Sequence, residues 1–410
     1  MAELSIIVTS YNIENYIGEC LDSIVNQTFA DTEIIVVDDG STDSSPDIIR
    51  EYAERDERIV PVLLGTNSPG GVATAANAGL DRATSPWVGF ADGDDLFELD
   101  AFGRLLEAAR TYDADLAMCN YRDFSDGSEE RMAPADEKRW ADLDQDVYTL
   151  TEENRRRFLR FVAVPWRKLY RRSFLEEHHI RFPVGDYFFE DNPFHWFCLV
   201  QANKIAVVPD VLCYHRVARA GQTMQTADAR LFKIFQHHET IYRFLESISR
   251  LDLYKTTLLS WVISQMEWIS RRTPLQLRRQ FFDVLRQVFA HYTMTDVNRA
   301  LTEGSKGTYA RHLSEALIKN NFAGFNQTLD GNTKKQNPVM RGWYHLRYSG
   351  PKRTAQITAK YAKQQIERRT SGRKAPVVQR GVSNEQLLFA LAVLDQRLDS
   401  IERQLRERRR

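Results

Sequence analysis

The chain has 410 residues, a formal net charge of −1 and 43% hydrophobic residues, enough for two or three domains with ordinary hydrophobic cores. No run reaches about 18 consecutive apolar residues and the N-terminus lacks the pattern of a signal peptide, so we expect neither a transmembrane helix nor secretion. The four cysteines form no CxxC pair, which indicates reduced thiols in a cytoplasmic protein and argues against a zinc site or a disulfide framework.

The first 120 residues alternate apolar strands with helical segments. Strands are predicted at residues 4–9, 33–37, 59–64, 87–91 and 115–119. Strands that alternate with helices of this length indicate right-handed βαβ units and a parallel sheet. Strand-like patterns return near residues 162–170 and 205–215, so we expect an α/β domain over residues 1–225.

Two acidic motifs follow predicted strands. The motif Asp92-Gly93-Asp94-Asp95 comes directly after the apolar run 87–91, at the end of a strand where open α/β sheets bind their ligands. Three crowded carboxylates repel one another, and a bound cation would neutralise that repulsion. Mg²⁺ or Mn²⁺ is the expected cation, because carboxylates and substrate phosphates commonly bind such an ion together. The motif therefore predicts chemistry on a phosphorylated, nucleotide-bearing molecule.

Asp38 and Asp39 end the second predicted strand, and Gly40 after them permits a tight turn. By the same argument they face the crevice that contains Asp92 and Asp94. Their carboxylates suit hydrogen bonds from a nucleobase or from ribose hydroxyls. A turn followed by a helix N-cap is the structural explanation of the run 38–43, and the two explanations are compatible.

A third acidic pair, Glu190 and Asp191, lies in the aromatic-rich run 188–196. Burial and the proximity of two like charges are expected to raise one of the two pKa values, as a general base requires. The alternative is an exposed helix start with Asp191 as the cap before Pro193.

His215 and Arg216 end the predicted strand 206–214, again at an edge of the sheet. The histidine suits a metal ligand, and the alternative is a hydrogen-bonded histidine with a structural role. Either Arg216 or Arg219 suits a bidentate pair with a diphosphate.

Taken in order, these motifs resemble family 2 glycosyltransferases with the GT-A fold, a Rossmann-like and mostly parallel sheet. The run 8–12 resembles the opening strand and loop of that family, and residues 67–79 resemble the segment before its metal-binding strand. The runs 166–170 and 190–194 resemble its later signature, so that the resemblance covers roughly residues 4–220. The chain departs from many relatives at Ala76, where they carry arginine.

The resemblance implies an inverting transfer of a sugar from a nucleotide-sugar donor, UDP-linked, with Mg²⁺ or Mn²⁺ as cofactor. The nucleotide-binding residues that it implies are Thr9, Tyr11, Asn12, Asp38, Asp39, Asn67, Asn77, Asp92, Gly93 and Arg216. The metal ligands that it implies are Asp94, Asp92 and His215. It implies Asp191 as the catalytic general base, with Glu190 as its neighbour.

The rest of the chain is predicted to contain a helical module at residues 226–325, a basic linker at 326–383 and a C-terminal helix at 384–410. Apolar residues of that last helix recur with the 4–3 spacing of a heptad seam: Leu387, Leu391, Leu394, Leu398, Ile401 and Leu405. The spacing predicts a coiled coil that joins two or three chains, and the alternative is a lone amphipathic helix packed on the body of the protein.

Residues 334–410 contain 19 Lys and Arg against 6 Asp and Glu, a formal charge of +13, so the total of −1 leaves −14 on the first 333 residues. A basic tail suits an anionic partner or peripheral contact with the inner face of a membrane, and the alternative is a solvated basic helix.

Together with the resemblance, this charge pattern favours a teichoic acid-like polysaccharide or polyol-phosphate acceptor, since wall teichoic acid glycosyltransferases share the overall plan. Nucleic acid is not an expected partner. Three alternatives stay open: a capsular or exopolysaccharide enzyme with a lipid-linked acceptor, a non-catalytic carbohydrate-binding scaffold, and a nucleotidyltransferase.

Overall fold

The computed structural model describes residues 2–69, 71–128, 130–185, 188–217 and 228–333. The predicted coiled coil and most of the predicted basic linker lie outside these residues. No helix in the described ranges is long and apolar enough to cross a membrane.

One mixed sheet of nine strands forms the centre of the described chain. In chain order the strands are β1 (Leu4–Ser10), β2 (Thr32–Asp38), β3 (Ile59–Leu63), β4 (Trp87–Asp92), β5 (Leu96–Phe97), β6 (Leu116–Phe124), β7 (Val147–Thr149), β8 (Lys168–Arg171) and β9 (Lys204–Arg216). Their order across the sheet is β3-β2-β1-β4-β8-β6-β9-β5, and β7 pairs with β9. The pairs from β3 to β4 are parallel, while β8 is antiparallel to both of its neighbours. The predicted α/β class with a mostly parallel sheet is confirmed.

Fourteen α-helices lie in the described ranges, eight of them among the strands and six after the last strand. In chain order they are α1 (Ile17–Val25), α2 (Ser45–Arg55), α3 (Ala73–Arg82), α4 (Ala101–Thr111), α5 (Glu137–Trp140), α6 (Glu152–Phe158), α7 (Arg172–Glu177), α8 (Asp191–Gln201), α9 (Gln236–Ser247), α10 (Leu251–Ser270), α11 (Arg278–Phe289), α12 (Met294–Glu303), α13 (Thr308–Ile318) and α14 (Phe322–Thr333). The last of them, α14, continues past position 326, where the sequence predicted the start of the linker.

Apolar side chains cover both faces of the parallel strands. All seven residues of β1 are buried; Ile7 packs with Phe90 in one core, while Ile6 and Val8 pack with Leu21 of α1 in the other. A strand covered on both faces has a continuous apolar run, which is the pattern that the sequence shows for β1.

The helices after β9 pack on the α/β part through α8. Ile241 and Leu245 of α9 and Leu258 of α10 belong to the same core as Phe194 and Leu199 of α8. The remaining helices enclose a core of their own. The start of α8 therefore lies where the helical region meets the sheet.

Strand β8 is much shorter than the run 162–170 that the sequence predicted. Ala163 and Val164 instead turn their carbonyls to the Nζ atom of Lys168, at 3.2 and 2.6 Å. The neighbouring Arg167 forms an ion pair with Asp136 at 2.7 Å, and both side chains are 0% exposed. Three aromatic rings surround the Arg167 guanidinium: Tyr121, Trp140 and Phe161. The strand therefore begins only at Lys168, after a segment in which the backbone carbonyls of residues 163 and 164 bind a side chain instead of a neighbouring strand.

We expect Asp136→Ala to lower the free energy of unfolding by about 3–5 kcal/mol, because it leaves the Arg167 cation buried without its partner. Glu51→Ala is the control, since it removes the exposed partner of Arg55 and is expected to cost about 1 kcal/mol or less. Urea unfolding followed by circular dichroism measures both. Similar losses for the two variants would contradict burial as the cause.

Candidate active site at the carboxyl ends of the strands

The two acidic motifs lie at the carboxyl ends of β2 and β4, the two parallel strands on either side of β1. Asp38, the last residue of β2, pairs with Ser10, the last of β1, and Asp92, the last of β4, pairs with Thr9. The N–H group of Gly93 donates to the carbonyl oxygen of Thr9 at 2.9 Å. The structure thus brings both motifs to one edge of the sheet, as the sequence predicted.

Asp38 and Asp39 are buried, and neighbouring loops supply hydrogen bonds to both carboxylates. Asp38 accepts from the N–H and the Oγ of Ser41, at 2.8 and 2.6 Å. Asp39 accepts from Ser68 Oγ at 2.7 Å and from Asn67 Nδ2 at 3.3 Å. Asn67, which we expected to contact the nucleotide, is therefore next to Asp39 and helps to hold it.

The other residues that we expected to contact the nucleotide, among them Tyr11, Asn12 and Asn77, have different surroundings. Tyr11 is 45% exposed in the loop after β1, and the side-chain oxygen of Asn12 accepts from the N–H of Thr42, which joins this loop to the turn after β2. Asn77 is a structural link, because its amide donates to Phe182 O at 2.8 Å and accepts from Phe182 N at 2.9 Å. A nucleotide contact for Asn77 stays a prediction.

Carboxylates crowd the end of β4. Asp94 and Asp95 are buried and Asp92 is half-buried. Burial, followed by the charges of Asp95 and Asp94, raises the pKa of Asp92 well above its usual range. His215 Nδ1 lies 3.0 Å from Asp95 Oδ1, and the imidazole ring stacks on Trp166. Burial alone lowers the pKa of His215, but Asp95 and the other carboxylates raise it to about 9.

This acidic edge fits a divalent cation. The mutual repulsion that raises the pKa of Asp92 is a cost that a bound cation removes. Asp95 engages Nδ1 of His215, which makes Nε2 the nitrogen for ligation, and metal-binding histidines are commonly oriented by a carboxylate in this way. The three expected ligands Asp92, Asp94 and His215 lie at this same edge, and Asp95 orients the histidine.

A tighter group of ligating atoms occurs in the helical region of the described chain, where atoms of His238, Glu239 and His291 lie within 4.8 Å of one another. Hydrogen bonds and ion pairs account for it. Glu239 pairs with Arg243 at 2.6 Å and with His291 at 3.3 Å, and His238 Nε2 lies 2.7 Å from the Tyr292 hydroxyl. We therefore read this cluster as packing between α9 and the end of α11.

Arg216, the last residue of β9, is buried next to the acidic edge and is 3% exposed. Its Nε donates to Asp94 O at 2.8 Å, and its guanidinium pairs with Glu19 at 2.6 Å and with Asp126. These contacts tie the end of β9 to the loop after β4. A direct contact between Arg216 and a diphosphate stays a prediction, and Arg219, the alternative, lies outside the described residues.

Glu190, which precedes α8, binds the beginning of α3. Its carboxylate accepts from the N–H groups of Val72 and Ala73, the latter at 3.1 Å, where the partial positive charge of the helix terminus favours an anion. Burial is the main cause that raises the pKa of Glu190 to about 7. The sequence did not reveal this contact, because the partners are 117 and 118 positions apart.

Asp191 is the first residue of α8 and accepts from Asn192 Nδ2 at 2.9 Å. Burial raises its pKa, and the cation of Lys168 opposes that rise. Burial also lowers the pKa of Lys168 to about 7. A half-buried carboxylate with a raised pKa is suited to accept a proton from a substrate.

This chain is similar to known proteins in sequence and in fold. The model of "Glycosyl transferase family 2" matches residues 5–178, and the EpsH protein of Bacillus subtilis strain 168 is 32% identical over 270 residues, 63% of this chain and 74% of EpsH. The chain belongs to glycosyltransferase family 2. Another relative, the uncharacterized glycosyltransferase EpsJ of the same strain, is 35% identical over 214 residues, 52% of this chain and 60% of EpsJ.

A further relative is the poly(ribitol-phosphate) beta-glucosyltransferase of Bacillus spizizenii, 33% identical over 227 residues, 55% of this chain and 34% of that protein. Among solved structures, S. aureus TarS 1–349 in complex with UDP-GlcNAc has a TM-score of 0.65 at 21% identity and covers 82% of this chain and 93% of that one. This structural similarity confirms that the present chain has the GT-A fold.

We expect Gly40→Ala to destabilise the turn after β2. Gly40 has a φ of +73°, and a Cβ there would overlap the backbone of Thr66 and Asn67. A left-handed conformation costs other residues about 1–2 kcal/mol, and the overlap adds to that cost. Gly65→Ala is the matched control, since it has a φ of +75° and no atom within 4 Å of the added Cβ. Equal losses in urea unfolding would contradict the role of the overlap.

Proposed function

We propose that this chain is an inverting, metal-dependent hexosyl- or N-acetylhexosaminyltransferase. It transfers the sugar of a UDP-linked donor to a hydroxyl group of a polyol-phosphate polymer of the cell envelope. The observation that carries the proposal is the strand register that brings the ends of β2 and β4, with Asp38 and Asp92, to the same edge of the sheet. Membership of glycosyltransferase family 2 supports the reaction class.

The donor site is proposed at the loops after β1 and β2. Asp39 accepts hydrogen bonds from the uracil base, and Asp38 lies at the same pocket. Each carboxylate has about four acceptor positions, so the bonds from Ser41, Asn67 and Ser68 leave acceptor capacity for a ligand. The complex of TarS with UDP-GlcNAc, a protein of the same fold, supports the choice of UDP.

Mg²⁺ or Mn²⁺ is proposed to be held by Asp92, Asp94 and His215. When bound, such a cation neutralises the charge that develops on the diphosphate leaving group. The protein keeps these side chains in position through its own contacts: Asp95 holds the imidazole of His215, and Arg216 holds the backbone of Asp94.

Asp191 is proposed as the general base. It takes the proton of the acceptor hydroxyl, and the hydroxyl oxygen attacks the anomeric carbon while the bond from that carbon to the diphosphate breaks. One displacement of this kind inverts the anomeric configuration without a covalent enzyme intermediate. Burial raises the pKa of Asp191 and the charge of Lys168 opposes that rise, and a raised pKa makes the carboxylate a better proton acceptor.

The polyol-phosphate acceptor is supported by charge and by likeness. Residues 334–410 carry a formal +13, which raises the local concentration of a polyanion. A relative is named for poly(ribitol-phosphate). We propose that the predicted C-terminal coiled coil joins two or three chains and adds avidity for a repeating polymer, in the cytoplasm or at the inner face of the membrane.

The test is UDP release from a panel of UDP-sugars, with poly(ribitol phosphate) as acceptor and with Mg²⁺ or Mn²⁺. We expect transfer from one donor, and a loss of about 10²–10⁴-fold for Asp191→Asn because the general base is removed. Asp94→Asn is expected to abolish the metal-dependent rate, and Glu51→Gln, on an exposed face of α2, is the control.

Other outcomes decide against parts of the proposal. Release of pyrophosphate in place of UDP would indicate a nucleotidyltransferase. Transfer only to a lipid-linked acceptor would indicate exopolysaccharide or capsule synthesis. No release from any donor, with no UDP binding in calorimetry, would indicate a carbohydrate-binding scaffold.

The acid limb of the pH–rate profile is expected above the ordinary aspartate pKa of about 4. Burial raises the pKa of Asp191, and a base must be deprotonated, so kcat/KM falls as pH decreases through that raised value. Lys168→Met removes the opposing cation and is expected to move the limb to still higher pH. A limb that stays in place in this variant would contradict the electrostatic role of Lys168.

A further inference from the structure

The helical region contacts the segment 188–192, which contains the candidate base. Phe189 has a φ of +70° and packs against the core of the helical region, where its ring meets Trp268 edge-on. His237 Nε2 of α9 lies 2.6 Å from the Phe188 carbonyl oxygen. Trp261 Nε1 of α10 donates to Asn192 Oδ1 at 3.2 Å.

The positive φ of Phe189 requires these contacts. A residue other than glycine in this region carries strain, and the strain persists only where the surroundings over-determine the conformation. Here the helical region contacts the ring of Phe189 and binds the carbonyl of Phe188. On the other side, the start of α3 binds Glu190. The segment is therefore held from both sides, with Asp191 between them.

The hydrogen bonds of Asn192 fix the orientation of its amide. An indole N–H can only donate, so the atom of Asn192 near Trp261 has to be the oxygen. The amide nitrogen is then directed to two acceptors, Phe189 O at 3.1 Å and Asp191 Oδ1 at 2.9 Å. Without the indole donor, a flipped amide would set its oxygen against the Asp191 carboxylate, and two acceptors in contact repel each other.

We propose that Trp261 is a positioning residue for Asp191 and acts through Asn192. The proposal rests on the proposed function of Asp191 as the base. It predicts that the indole N–H of Trp261, and not its aromatic ring, is what positions Asp191.

The test compares Trp261→Phe with Trp268→Phe. Both changes replace an indole by a phenyl ring on the same helix, but the hydrogen bond to Asn192 belongs to Trp261, whereas Trp268 contributes a ring contact to Phe189. We expect kcat of sugar transfer to fall about three- to tenfold in Trp261→Phe, the size expected for one hydrogen bond, with the donor KM unchanged. Trp268→Phe is expected to keep kcat within about twofold. Equal losses in both variants would overturn the proposal.

The pH profile adds a readout that general loosening would not move. Asp191 is surrounded by the charges of Lys168, Glu190 and Asp92, which all remain in Trp261→Phe. Without the indole, the Asn192 amide is held less firmly against Asp191, and this weaker hydrogen bond is expected to shift the acid limb to higher pH in this variant alone. An unshifted limb would count against the relay.

A double-mutant cycle tests the route. If Trp261 acts through Asn192, Trp261→Phe in an Asn192→Ala background should cost no further activity. Additive losses in kcat would overturn the relay through Asn192.

Hydrogen exchange separates this inference from the proposed function. We expect the backbone amides of residues 188–194 to exchange faster in Trp261→Phe than in Trp268→Phe, whether or not the enzyme turns over. Unchanged exchange would overturn the positioning of the segment. Full transfer activity in Asp191→Asn would instead overturn the role of Asp191 as the base.

Discussion

The crowding of carboxylates at the ends of two parallel strands, β2 and β4, is the constraint on which the rest of the site depends. Because both strands pair with β1 and end at one level with it, their acidic residues cannot separate without loss of strand register. Most of them are compensated by the protein itself: Asp38 by Ser41, Asp39 by Ser68, and Asp95 by His215. Burial and the charges of Asp95 and Asp94 raise the pKa of Asp92, and a bound cation would offset that cost.

A second constraint lies at the start of α8, where three parts of the chain meet. Glu190 closes the amino end of α3, Asp191 is influenced by Lys168 of β8, and Asn192 is bound by α10. Because α9 and α10 share a core with α8, the helical region helps to position the residues at the start of α8. This explains how helices that carry none of the acidic motifs bear on their chemistry.

Much of the fold and of the acidic edge could be predicted from sequence. Parallel strands covered on both faces leave continuous apolar runs, and an abrupt change to aspartate marks where each strand ends, as at Asp38 and Asp92. The alternation of strands and helices then implied the sheet and the shared edge. The sequence pattern misplaced the start of β8, where the buried Arg167 pairs with Asp136, 31 positions away. It also missed β7, which has three residues and is too short to show an alternating pattern.

The sequence by itself determined the family, the parallel order of the first strands and the residue types gathered at their ends, because apolar periodicity and strand-end motifs are local. Only the tertiary structure decided which partners those residues have. The pairing of Asp95 with His215, of Glu190 with the α3 terminus and of Trp261 with Asn192 joins positions 120, 117 and 69 residues apart. Such contacts depend on how whole elements pack, and no local pattern in the chain encodes them.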